Sequence, residues 1–256
     1  EAIVLNHTDA VTPICYNTNP AQHDDPISWV FQTRCRYVNV ADLTEAAFAD
    51  RVRADGVDIL IDCMGFTRGN RLGTFAERPA PIQLTGWGYA TGTIPAMDGI
   101  LLDPVTRGSD LFHERVLDLP CVISYVPPAM FCPAVAPQPT GPVTFGAFHC
   151  FVKINDEVLA VWARILDRVP GSRIVFKGKE YGEALLRERI QAALGDRGEF
   201  WPQTQHLEHL DAFRHVDLVL DPWPQTGGIT TCEALHQGVP SVTLIGERTI
   251  QRAAAS

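Results

Sequence analysis

The chain has 256 residues, 46% of them apolar and 20% charged, enough for two modest domains that each bury a core. That balance excludes a disordered chain, and no apolar run approaches the ~20 residues that span a bilayer as a helix, so no membrane partner is expected. A net charge of −9 excludes general binding to nucleic acid, which needs a basic surface, but a small anion can still find a locally positive pocket.

Seven cysteines are scattered without a C-x-x-C pair, which argues against a metal knuckle or a disulfide framework and for a reducing, cytoplasmic setting. The basic residues comprise 18 Arg but only three Lys: Lys153, Lys177 and Lys179. The chain starts at Glu1 without Met and stops at Arg252–Ser256 in what reads as a nascent helix, so a fragment is expected.

In chain order, strands are predicted at Thr12–Tyr16, Val57–Cys63, Pro81–Leu84, Gly99–Leu102 and Val116–Leu119, with a helix over Leu43–Ala54. Six prolines from Pro127 to Pro142 fix φ and remove donors, so neither helix nor sheet runs through them. The segment reads as a linker, 126–142, between a domain 1–125 and a domain 143–256. Beyond it the pattern alternates: strand Val143–Phe148, a helix capped by Asn155, strand Arg173–Phe176, helix Tyr181–Leu194, strand Glu199–Trp201, helix Leu207–Arg214, strand Asp217–Leu220, helix Thr230–Gln237 and strand Val239–Leu244. Such alternation implies a parallel sheet wound on both faces. Two such domains in succession are expected to form a cleft between the carboxyl ends of their sheets.

Asp221-Pro-Trp-Pro-Gln-Thr-Gly-Gly-Ile-Thr-Thr-Cys-Glu233 runs from a strand end through Gly227 and Gly228 to a helix start. Glycines admit an anion close to the backbone, a helix start offers N–H groups and a positive dipole end, and Thr230 and Thr231 add hydroxyls. The segment is either a diphosphate seat or an ordinary turn with a Thr cap. It is neither a Walker loop nor G-x-G-x-x-G. Glu233, in the first turn, either accepts from both hydroxyls of a ribose or complements the helix dipole. Lys153 follows the first strand of the second domain, where an ammonium can neutralise a departing phosphate or stand in solvent. His206 and His209, at i and i+3, suit contact with a base or a plain surface; without a third ligand no metal is expected. His149 and His236 read as packing or surface residues. In the first domain, Asp62 ends a buried strand and is either a proton acceptor or a turn cap. Gly86-Trp-Gly-Tyr-Ala-Thr-Gly-Thr93 is either a sugar or peptide pocket loop or a structural turn. Neither a Gly-x-Ser-x-Gly elbow nor an Asp-x-Asp pair occurs.

Taken together, Asp55-Gly-Val-Asp-Ile-Leu-Ile-Asp-Cys-Met-Gly-Phe-Thr67, Arg78-Pro-Ala-Pro-Ile-Gln83, Gly88-Tyr89, Pro95-Ala-Met-Asp98, Phe148 through Ile154, Val161-Trp-Ala-Arg-Ile-Leu166, Val169-Pro-Gly-Ser172, Gly227 through Leu235 and Gly238-Val-Pro-Ser-Val-Thr-Leu244 resemble the catalytic region of the protein O-linked N-acetylglucosaminyltransferase family, especially its bacterial members. The resemblance covers nearly the whole chain. It implies an α/β fold of two Rossmann-like, doubly wound domains of the GT-B type, the N-terminal one incomplete. It further implies an inverting enzyme that needs neither metal nor cofactor, taking a nucleotide-sugar donor and a protein or peptide acceptor. By resemblance, Lys153 contacts the diphosphate and assists the leaving group. Gly227, Gly228, Ile229, Thr230 and Thr231 form the phosphate loop, and Glu233 holds the ribose. His209, His206 and Cys150 lie along the donor, Gly65, Thr67, Gly88 and Tyr89 fall on the acceptor and sugar side, and Asp62 is the catalytic candidate that accepts or positions the hydroxyl proton. The tetratricopeptide repeats that recruit acceptors in the family are absent here. Ile229 stands where the family has Thr, His149-Cys150 replaces a more amide-rich pair, and Ala90 replaces Pro. A glucosyltransferase of the same fold and a non-catalytic nucleotide-binding remnant are the rival expectations. A nicotinamide-dependent oxidoreductase would need the glycine fingerprint that is missing.

Overall fold

The computed structural model describes residues 6–19, 26–87, 92–109, 112–127, 132–136 and 140–256. The chain divides into two compact units, Glu1–Val126 and Pro127–Ser256. Every strand pairing among the described residues is parallel, as an alternating α/β pattern requires.

The described residues of the first unit form two sheets. Strands β1 (Ile14–Asn17) and β2 (Arg36–Asn39) form one, linked by helix α1 (Pro26–Arg34). Strands β3 (Ile59–Asp62), β4 (Ile82–Gly86), β5 (Gly99–Leu102) and β6 (Arg115–Asp118) form the other in chain order. Helix α2 (Glu45–Ala54) begins at the Thr44 cap, whose hydroxyl accepts from the Ala47 amide at 3.2 Å. It buries Phe48, Ala49 and Val52. Helix α3 (Leu72–Ala76) follows β3. Sequence periodicity predicted neither α1, β2 nor α3. The first is a short helix with Trp29 64% exposed, and the third has only five residues, so neither displays an amphipathic stripe.

In the second unit the sheet order is β11-β10-β7-β8-β9, with β7 (Thr144–Ala147), β8 (Arg173–Lys177), β9 (Gly198–Trp201), β10 (Leu218–Leu220) and β11 (Ser241–Val242). Strand β7, the first of this unit, lies centrally beside β10, so the connections leaving these two strands diverge to opposite sides. Helix α4 (Asp156–Arg168) is capped by Asn155, whose side-chain oxygen accepts from Val158 N at 2.9 Å, and packs Val158, Leu159, Trp162 and Leu166 into the core. Helices α5 (Ala184–Leu194), α6 (His206–Ala212) and α7 (Ile229–His236) complete the unit. The strand predicted over Val239–Leu244 shrinks to β11, because Pro240 lacks a donor and the Thr243 hydroxyl turns to Asp221.

The proline-rich segment begins at the boundary between the two units. Its described residues pack on the end of α7, where Cys132 Sγ lies 3.1 Å from His236 Nε2 and the Gln237 side-chain amide donates to the same sulfur at 3.3 Å. No helix among the described residues is long and apolar enough to cross a membrane.

Candidate functional site

The site grows from the adjacent ends of β7 and β10. After β7 the chain makes a short 3₁₀ turn, Phe151–Lys153, following the exposed Cys150. After β10 it passes through Asp221 and the loop to Gly228, which caps α7. These two connections meet at the point where strand order reverses, the place where open α/β sheets take ligands. Lys153 Nζ donates to the Thr226 carbonyl at 2.7 Å, which fixes the ammonium beside the glycine loop. Burial lowers the Lys153 pKa, opposed by the charges of Asp221 and Cys150.

The two glycines differ in their surroundings. A Cβ on Gly227 would lie 2.9 Å from Asp221 Oδ1 and 3.0 Å from His149 Cε1, and would also strike Thr231 Oγ1. A Cβ on Gly228 would meet nothing within 4 Å, so the loop is open to a ligand at this residue. Ile229 is exposed and Thr230 half-exposed at the first turn of α7. Thr231 departs from the expectation of a phosphate-facing hydroxyl. Its Oγ1 is buried against Gly227 and makes no hydrogen bond.

Beneath the loop lies a buried polar group that sequence reasoning missed. Asp221 accepts from Gly227 N at 2.7 Å and from the Thr243 hydroxyl at 2.6 Å. His149, read from sequence as packing or surface, is buried with Nε2 3.5 Å from Asp221 Oδ1, and Tyr181 OH donates to its carbonyl at 2.8 Å. Burial, helped by the Lys153 charge, pushes the imidazole down to about 3, so it is neutral at pH 7. Burial also raises the Asp221 pKa, against the bonds from Thr243 and Gly227 and the charge of Lys153. The available clue was an Asp that ends an apolar strand and precedes a glycine loop.

Further along α7, Glu233 is buried with one oxygen 3.0 Å from His206 Nε2 and the other 3.3 Å from His209 Nε2. Burial pushes this carboxyl up, but the hydrogen bonds and charges of the two histidines outweigh it and hold it below the usual range. The structure thus brings Glu233, His206 and His209 together. Among the described residues no group of three or more His, Cys, Asp or Glu is arranged to hold a metal ion. A separate cavity of about 610 Å³, lined by Lys177, Trp201, Leu207 and Asp211, includes neither Lys153 nor the glycine loop.

In the first unit, Asp62 is buried and both its oxygens are engaged: by Met64 N at 2.9 Å, Gly65 N at 3.0 Å and the Thr85 hydroxyl at 3.2 Å. Thr67 completes this turn by donating its hydroxyl to the Met64 carbonyl at 2.7 Å. Of the two readings open for Asp62, the geometry is that of a turn cap. Gly88 and Tyr89 lie outside the described residues.

Comparison with known proteins agrees across the chain. The family model described as glycosyl transferase family 41 matches residues 4–132 and 134–256. The probable UDP-N-acetylglucosamine–peptide N-acetylglucosaminyltransferase SPINDLY of Arabidopsis thaliana is 37% identical over 223 residues, covering 81% of this chain and 24% of that protein. This chain therefore spans about a quarter of the length of that relative. A solved mutant O-GlcNAc transferase of Thermobaculum terrenum superposes with a TM-score of 0.88 at 32% identity, covering 95% of this chain and 48% of the other. AviGT4, a glycosyltransferase of avilamycin A biosynthesis, shares the fold with a TM-score of 0.52 at 18% identity, over 86% of this chain and 65% of its own.

Proposed function

The chain belongs to glycosyl transferase family 41, and from that premise we propose that it moves N-acetylglucosamine from its uridine diphosphate donor to Ser or Thr hydroxyls of proteins, with inversion at the anomeric carbon. The observation that carries this reading is the 2.7 Å contact that sets Lys153 against the loop opening α7. In-line attack forms the bond between hydroxyl oxygen and anomeric carbon and breaks the bond to the diphosphate, and the hydroxyl proton passes to solvent. The charge that develops on the leaving diphosphate is met by Lys153 and the α7 start. Ile229 supplies only backbone there, Thr230 backbone and hydroxyl, and Gly228 the open approach. Glu233, oriented by His206 and His209, receives ribose hydroxyls, while the histidines and Cys150 border the rest of the donor. Gly65, Thr67, Gly88 and Tyr89 serve the acceptor and sugar side. Asp62 is a turn cap in this reading and takes no proton.

Two relatives named for N-acetylglucosamine transfer support the choice of donor, and the plant one, named for transfer to peptides, supports the acceptor. The positive charge that a metal would bring is carried by Lys153 and the helix, so turnover should withstand chelation. Acceptor recruitment by tetratricopeptide repeats and a cytoplasmic, bacterial setting complete the proposal.

The test is a panel of nucleotide sugars differing in base and sugar, with peptide acceptors read by mass spectrometry. Preference for another sugar overturns the donor assignment. Lys153→Ala should lower transfer by roughly 100-fold or more with the circular dichroism spectrum intact; unchanged turnover removes Lys153 from the chemistry.

A further inference from the structure

The residues Thr226 and Gly227 share one peptide unit, and both ends of it are held. Its carbonyl accepts from Lys153 Nζ at 2.7 Å, and its N–H donates to Asp221 Oδ1 at 2.7 Å. In a trans peptide these two groups point in opposite directions. The ammonium and the carboxylate therefore grip the same rigid plane from its two sides. We propose that Asp221 is a positioning residue for the donor reaction, fixing the Thr226–Gly227 peptide so that its carbonyl holds the Lys153 ammonium at the loop.

Three observations support it. Asp221 is itself immobilised, because its second oxygen accepts from the Thr243 hydroxyl at 2.6 Å and the buried His149 ring closes its other side at 3.5 Å. Gly227 cannot move toward the carboxylate, since the space behind its Cα is filled by Asp221, His149 and Thr231. Thr226 is tied on its far side, where its N–H donates to the Ile250 carbonyl at 3.4 Å and its hydroxyl accepts from Ala254 N at 3.3 Å. With the flanking atoms fixed, the remaining freedom is rotation of the peptide plane, and the carboxylate removes it. Released, the plane could turn its carbonyl away from Lys153, and the ammonium would lose its aim at the diphosphate.

This inference rests on the donor-site reading above, and calorimetry with uridine diphosphate separates the two. The unmodified chain should bind, and Lys153→Ala should weaken binding. Asp221→Ala removes a charge-assisted bond and should weaken binding roughly tenfold or more. Asp221→Asn keeps an acceptor for Gly227 N and should stay within about threefold of the unmodified chain. In the Lys153→Ala background, Asp221→Ala should add less than about threefold, because it acts through the missing ammonium. Equal losses in both backgrounds, or no loss from Asp221→Ala, overturn the inference while leaving the donor site standing. Failure of the unmodified chain to bind overturns both. If the alanine chain does not fold, Asp221→Ser replaces it, since the shorter hydroxyl cannot reach the Gly227 amide.

Discussion

Gly227 and Gly228 stand side by side and answer to different demands. At Gly227 the demand comes from inside, where a methyl would press on a buried carboxylate and a buried ring. At Gly228 nothing inside forbids a side chain, so the requirement comes from whatever approaches from outside. Gly227→Ala should therefore cost about 1–3 kcal/mol in urea unfolding, the range for overpacking a closed site. Gly228→Ala should leave stability within about 0.5 kcal/mol yet weaken uridine diphosphate binding in calorimetry. The reverse ranking would mean that Gly228 is the structural glycine. Both residues were visible in the sequence as one flexible pair. Their division of labour was not, because it depends on Asp221, His149 and Thr231, which converge from three separate segments.

Elements differ in how much of themselves they show. Helix α4 was legible because its cap, its acidic first turn and its apolar stripe all lie within one stretch of chain. Its Trp162 is 1% exposed at the centre of the second-unit core, so Trp162→Ala should cost about 3–5 kcal/mol by chemical denaturation. A loss below ~1 kcal/mol would show that α4 is not anchored there. The last strand was overestimated for the opposite reason. Val239–Leu244 reads as one apolar run, but Val242 and Leu244 are 55% and 59% exposed at the sheet edge, and only Ser241–Val242 pair with β10. Helix α6 was legible as a helix, but the use of His206 and His209 to hold Glu233 depends on packing against α7, which no local pattern encodes.

At the scale of the whole molecule, the alternation of strands and helices exposed the second sheet in the sequence, whereas the first unit's short strands and helices blurred the same grammar. The parallel register of β7 with β10 joins the two stretches that carry Lys153 and the glycine loop. That junction is non-local, so each motif is readable by itself in the sequence while their meeting rests on the strand pairing.

The shortage of lysine has a practical corollary. With only three side-chain amines in the chain, an acylating reagent has few targets. Lys177 is buried and engaged by Thr204, Lys179 is exposed, and Lys153 sits half-buried with its proton loosened by its surroundings. Peptide mass mapping should show Lys153 acylated in the free protein and shielded when uridine diphosphate is added, while Lys179 reacts equally in both samples and reports the reagent dose. Occupancy of the loop can thus be followed on the unaltered polypeptide, with an internal standard twenty-six positions away.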